Sequence, residues 1–108
     1  MKLGVFTVLL SAKSLEESLA YLKELGVQAV ELGTGGYPGK AHVNPDELLE
    51  DGSKIAKLKE LLKKYDMEIS ALSCHGNPVH PQKDIARAFH EDFVKTILLA
   101  EKLGVERV

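Results

Sequence analysis

A near-repeat constrains this chain more than any other feature. Residues 22–30 read LKELGVQAV and residues 100–108 read AEKLGVERV, matching almost position for position, while residues 62–70, LKKYDMEIS, are a looser copy. The residues that stop a helix in each copy, Gly26, Asp66 and Gly104, lie 40 and 38 residues apart. That period holds one helix, one strand and two loops, so the repeated unit is βα. Strands joined by right-handed helical crossovers lie parallel. Two architectures satisfy the pattern: an open doubly wound sheet, or part of a (β/α)8 barrel, which takes about 250 residues.

The elements follow from period and punctuation. Residues 3–10, LGVFTVLL, are a short apolar, β-branched run and predict a buried first strand. Ser14 with Glu17 three residues on is a capping box, and Leu15, Leu19, Leu22 and Leu25 form one apolar stripe that Gly26 ends. Residues 27–32, VQAVEL, predict the second strand. The glycine-rich loop GTGGYPGKAHV follows, long for a connection. Asn44 with Pro45 and Glu47 opens a short helix, and Ile55, Leu58, Leu61, Leu62 and Tyr65 mark a stronger one that stops around Asp66. Residues 68–81, EISALSCHGNPVHP, begin as an alternating strand and end in a polar cluster. A last helix over residues 84–103 is expected to turn Ile85, Phe89, Val94, Ile97 and Leu98 inward. Residues 105–108 read as the start of a fourth strand. A domain seldom stops inside a buried strand, whose unpaired edge is a liability. The expectation is therefore a single domain over residues 1–108 that is the N-terminal part of a longer barrel: about three βα units plus the start of strand four.

Composition narrows the partners. With 108 residues, 44% apolar and 28% charged, the chain suits one soluble globular domain. A net charge of -2 with mixed signs argues against nucleic acid and anionic membranes. One cysteine, Cys74, forms no internal disulfide, which points to a reducing compartment and a cytoplasmic location. The opening MKLGVFTVLLSA has too weak a basic region and too short an apolar run for a signal peptide.

Strand alternation sorts the residues that could carry chemistry. Leu3 and Val5, Val30 and Leu32, and Leu72 and Cys74 form one face, suited to packing under helices. Gly4 and Phe6, Ala29 and Glu31, and Ala71, Ser73 and His75 form the other. Phe6, Glu31 and His75 then stand at the C-terminal ends of three neighbouring strands, where a barrel builds its site. Glu31 reads either as a functional carboxylate or as a solvated residue at a strand end. His75 reads as a metal ligand, a donor to substrate, or a histidine satisfied by nearby backbone. Cys74 reads as a small core residue. His80 follows at a spacing that fixes no metal geometry, and His42 and His90 receive no role. Nucleotide motifs fail: Pro38 occupies the third glycine of a dinucleotide fingerprint, and Thr34 and Ala41 break a phosphate loop. The first strand-to-helix turn has no glycine, so a Rossmann reading loses its support.

Four segments together resemble the sugar phosphate isomerases and epimerases of the xylose isomerase-like barrels, a group that also holds endonuclease IV-type enzymes. They are LGVFT, AVELGTGGYPG, ISALSCHGNPVHP and LAEKLGVERV. The resemblance implies a partial TIM barrel of parallel βα units and a metal-dependent enzyme that moves a proton between adjacent carbons of a ketose, an inositol-pathway intermediate or a sugar phosphate. It implies substrate contacts from Phe6 as an apolar wall, Glu31 at the pocket floor or rim, His75, and Asn77 at the rim, with His75 also a metal ligand as in endonuclease-type relatives. The main ligands of the divalent metal (Mn, Mg, Co or Zn) and the acid/base glutamates come from later strands in that family, so this chain alone is expected to bind no metal and to lack catalysis. Two other readings stand beside it: an abasic-site endonuclease, disfavoured by the charge, and a non-catalytic half-barrel that forms a homo-oligomer through exposed sheet edges.

Overall fold

Three parallel strands carry the chain in the computed structural model, which describes residues 1–108. They are β1 (Gly4–Phe6), β2 (Ala29–Gly36) and β3 (Glu68–His75), in the spatial order β1-β2-β3. Both pairings are parallel, as a run of βα units requires. The helices are α1 (Leu15–Glu24), α2 (Pro45–Glu50), α3 (Gly52–Lys64) and α4 (Lys83–Leu103). The result is an α/β, partial-barrel unit. None of the helices is long and apolar enough to cross a membrane.

The start and stop signals act as their chemistry dictates. Glu17 N donates to Ser14 Oγ at 3.1 Å and Ser14 N donates to Glu17 Oε2 at 2.9 Å, so two orphan donors of α1 are satisfied reciprocally. Asn44 Oδ1 accepts from Asp46 N at 3.1 Å, ahead of Pro45 in the first turn of α2. Gly26, Asp66 and Gly104 all take the left-handed conformation, with φ of 79°, 50° and 71°, and each releases the chain from its helix into the next segment.

One sheet face meets the helices. Val30, Leu32 and Leu72 pack with Leu19 and Leu22 of α1, Leu58 and Leu62 of α3, and Leu99 and Ala100 of α4. Val5 packs against the same cluster. Their register neighbours Phe6 and Glu31 therefore take the opposite face.

Several expectations need correction. The first strand stops at Phe6, and Thr7–Leu10 winds into a 3-10 turn. An apolar run alone carries no period, and here the buried Thr7 hydroxyl decides: it lies 3.0 Å from His42 Nδ1, whose Nε2 lies 2.9 Å from the Lys13 carbonyl. His42, which the sequence left without a role, thus ties the glycine-rich loop to the first turn. The second strand runs past Leu32 to Gly36, because its glycine stretch keeps pairing with β3 as far as His75. Leu25 is exposed rather than part of the packed α1 stripe.

The inward face of α4 is also different from the expected one. Thr96, Leu99 and Ala100 are buried there, while Ile85, Val94, Ile97 and Leu98 are exposed and Phe89 is half-buried. A stripe chosen on apolar residues alone overlooks Thr96, whose hydroxyl is drawn inward by Thr34 Oγ1 at 2.9 Å. Residues 105–108 form no strand; a single bond from Leu72 N to the Arg107 carbonyl, 3.0 Å, holds them beside β3.

The packing predicts a contrast within α4. Leu99→Ala should lower the unfolding free energy by about 2–5 kcal/mol, the range for a buried leucine truncation. Leu98→Ala should lower it by less. Urea denaturation of the two variants checks which face is the inner one.

Candidate functional site

Because the strands are parallel, their C-terminal ends gather at one rim, and three turns start there. The 3-10 turn follows Phe6, the glycine loop follows Gly36, and residues 76–81 follow His75. On the sheet face away from the helices, Phe6 pairs in register with Glu31, and Glu31 with Ala71. Ser73 Oγ donates to Glu31 Oε1 at 2.6 Å and lies 2.9 Å from His75 Nε2. Glu31, Ser73 and His75 thus form a continuous hydrogen-bonded row across β2 and β3, with Phe6 beside it. Ser73 is buried, Glu31 half-buried and His75 exposed, so the row runs from the sheet outward to solvent.

The glycine loop is built around the His75 backbone. Tyr37 N donates to the His75 carbonyl at 2.7 Å. Gly36 has φ of 65°, and a Cβ there would stand 2.0 Å from the same carbonyl oxygen, so no larger residue fits. Asp92 of α4 accepts from Gly36 N at 3.2 Å through Oδ2 and pairs with Lys40 at 2.7 Å through Oδ1. Lys40 also reaches Asp46 of α2 at 3.0 Å, and Lys95 of α4 reaches the other Asp46 oxygen at 2.5 Å. The Tyr37 ring packs on Phe89 with centroids 5.3 Å apart.

These charges hold one another ionised. The Lys95 ammonium, then that of Lys40, keeps the Asp46 carboxyl below its ordinary value. Asp92 raises Lys40 against the opposing effect of burial, and Asp46 raises Lys95. On the helix side, burial pushes the Cys74 thiol up, with a Thr96 hydrogen bond opposing it. A raised thiol facing α4 has the character of a core residue.

A family model described as a xylose isomerase-like TIM barrel matches residues 19–108. The chain belongs to that family. It is also 35% identical over 108 residues to the uncharacterized protein YfiH of Bacillus subtilis (strain 168), covering 100% of this chain and 34% of YfiH. The chain therefore spans about a third of the length of that curated relative.

Within the family's fold, the structure brings Glu31 and His75 together through Ser73 and sets Phe6 next to them in the sheet. Asn77 is not part of the row; its Oδ1 accepts from Val79 N at 3.2 Å and shapes the turn after β3. His80 serves that same segment, accepting from Gln82 N at 3.1 Å. Sequence reasoning placed Ser73 on the correct face yet gave it no role, although its spacing of two from His75 was the available signal. Lys40, Asp46, Asp92 and Lys95 carried no signal, since charges in loops and helices ordinarily face water.

The residues present do not fit a metal by themselves. No three His, Cys, Asp or Glu side chains converge anywhere in the chain, and a catalytic zinc takes about three protein ligands. Glu31 and His75, bridged by a serine hydroxyl, fall short of that set.

Two outcomes follow from this geometry. Gly36→Ala should destabilise the fold by about 2–4 kcal/mol, combining left-handed strain with a clash on backbone, as read from a urea midpoint. For the clamp, Asp46 is held below its ordinary 3.8, so its contribution is present above that pH and is lost as pH falls through the depressed value. Lys40 and Lys95 are held above 10.5, so theirs is present below that pH and is lost as pH rises through the raised values. The melting-temperature gap between wild type and Asp46→Asn should be open at neutral pH, narrow as pH falls below 3.8 and narrow again as it rises above 10.5.

Proposed function

We propose that this chain forms one side of the substrate mouth of a sugar isomerase or epimerase built on the full xylose isomerase-like barrel. The observation that carries the proposal is the Glu31–Ser73–His75 row beside Phe6 at the rim where the parallel strands end. A sugar offers carbon–hydrogen faces and a ring of hydroxyls. An aromatic wall takes the first, and a carboxylate with an imidazole takes the second. Glu31 accepts substrate hydroxyls, His75 makes a polar contact at the outer end of the row, and Phe6 excludes water from the side it covers.

The chain's own share is binding and orientation. In this reading the proton between adjacent carbons is moved by acid/base groups elsewhere in the full-length protein. The main ligands of the divalent metal that polarises the sugar's oxygens are supplied there too, since Glu31 and His75 alone do not complete a metal site. The glycine loop is anchored at the rim: Gly36 packs on the His75 backbone and the Tyr37 ring packs on Phe89.

The test is exchange of carbon-bound hydrogen with solvent deuterium, run on the full-length protein against a panel of ketoses, inososes and sugar phosphates. Exchange is expected, without cleavage of abasic-site DNA. Glu31→Gln and His75→Ala should each lower kcat/KM about 5- to 150-fold, equivalent to about 1–3 kcal/mol for a polar contact that bound substrate covers and the variant leaves unmade. Abasic cleavage without exchange would replace this reading with the endonuclease one, and unchanged kinetics in both variants would remove the row from the site.

A further inference from the structure

We infer that Ser73 is a positioning residue that locks His75 as the Nε2–H tautomer, leaving Nδ1 as a bare acceptor for a hydroxyl of the bound sugar. A serine has one hydroxyl proton, and an ionised carboxylate only accepts. Ser73 Oγ sits 2.6 Å from Glu31 Oε1, the short range of an O–H donor on a charged acceptor, so its proton goes to Glu31. The approach of His75 Nε2 to the same Oγ at 2.9 Å then requires the imidazole to donate. Reversing the serine would set two acceptors 2.6 Å apart with no hydrogen between them. With Ser73 2% exposed, its hydroxyl is settled by Glu31 and His75 rather than by bulk water.

A neutral imidazole with its proton on Nε2 has a lone pair on Nδ1. Nδ1 makes no hydrogen bond within the chain, and His75 is exposed at the rim. The root of the ring is fixed as well, since Tyr37 N holds the His75 carbonyl. A bare lone pair near the Glu31 carboxylate attracts a hydroxyl hydrogen and repels an anion. This end of the mouth therefore takes a neutral, hydroxyl-bearing part of the ligand, and the phosphate of any sugar phosphate binds elsewhere. The ligand class rests on the sugar reading above; the tautomer does not.

Histidine-selective 15N labelling of the full-length protein, with long-range 1H–15N spectra at neutral pH, reads the tautomer directly. His75 should show a protonated Nε2 and an unprotonated Nδ1. Ser73→Ala should give a mixture of tautomers, and Ser73→Thr, which keeps the hydroxyl, should restore the single form. Added inorganic phosphate should leave the His75 ring signals unmoved. A protonated Nδ1 in the wild type, an unchanged spectrum in Ser73→Ala or a phosphate-induced shift would each overturn the inference. None of these readouts needs turnover, so their failure is separable from failure of the isomerase reading in the exchange assay.

Discussion

The parallel ladder between β2 and β3 is the constraint on which the rest depends. Its register is not uniform: it shifts between Val30 and Glu31 and again between Gly33 and Gly35. A slip of one residue in a strand sends every side chain to the other face. The two irregularities thus decide that Leu32 and Leu72 meet the helices while Glu31, Ser73 and His75 share the opposite face. The second shift leaves Thr34 over, and its hydroxyl is held by the Ser73 carbonyl at 3.2 Å and Thr96 at 2.9 Å. A bulge of this kind near a rim is a device for aiming side chains.

Helix α4 turns that local choice into a rigid rim. From one helix, Thr96 fixes the bulge, Asp92 takes the Gly36 amide and Lys40, and Phe89 supports Tyr37. Every buried side-chain nitrogen and oxygen has a partner, so these polar contacts carry little of the penalty that an unpaired buried group would impose. The surface ion pairs around Asp46 contribute little to stability individually. Their effect is geometric, since together with the Asp92 bond to the Gly36 amide they hold the glycine loop at Gly36 and Lys40 while its backbone lies against His75.

Much of this was legible in the sequence, and the reasons differ by feature. The repeated helix ends with Gly26, Asp66 and Gly104 exposed the βα period, because a left-handed stop is a local, residue-specific requirement. Alternation along residues 71–75, ALSCH, placed Ser73 and His75 on one face, and VQAVEL did the same for Glu31. What was hidden lies in contacts distant along the chain. Nothing near Thr7 announces His42, and nothing near Gly36 announces Asp92. The inner face of α4 was misjudged for the same reason: Thr96 is buried by a partner 62 residues away, which no periodicity of apolar residues encodes. The glycine stretch of β2 was silent because glycine has no side chain to enter a pattern.

Glu31, Ser73 and His75 act as one connected unit. A triple-mutant cycle in unfolding free energy tests it most directly, with Glu31→Ala and His75→Ala combined in the wild-type and Ser73→Ala backgrounds. A coupling of about 0.5–3 kcal/mol between Glu31 and His75 is expected when Ser73 is present, falling toward zero when it is absent. Additive effects in the wild-type background, or a coupling indifferent to Ser73, would contradict it.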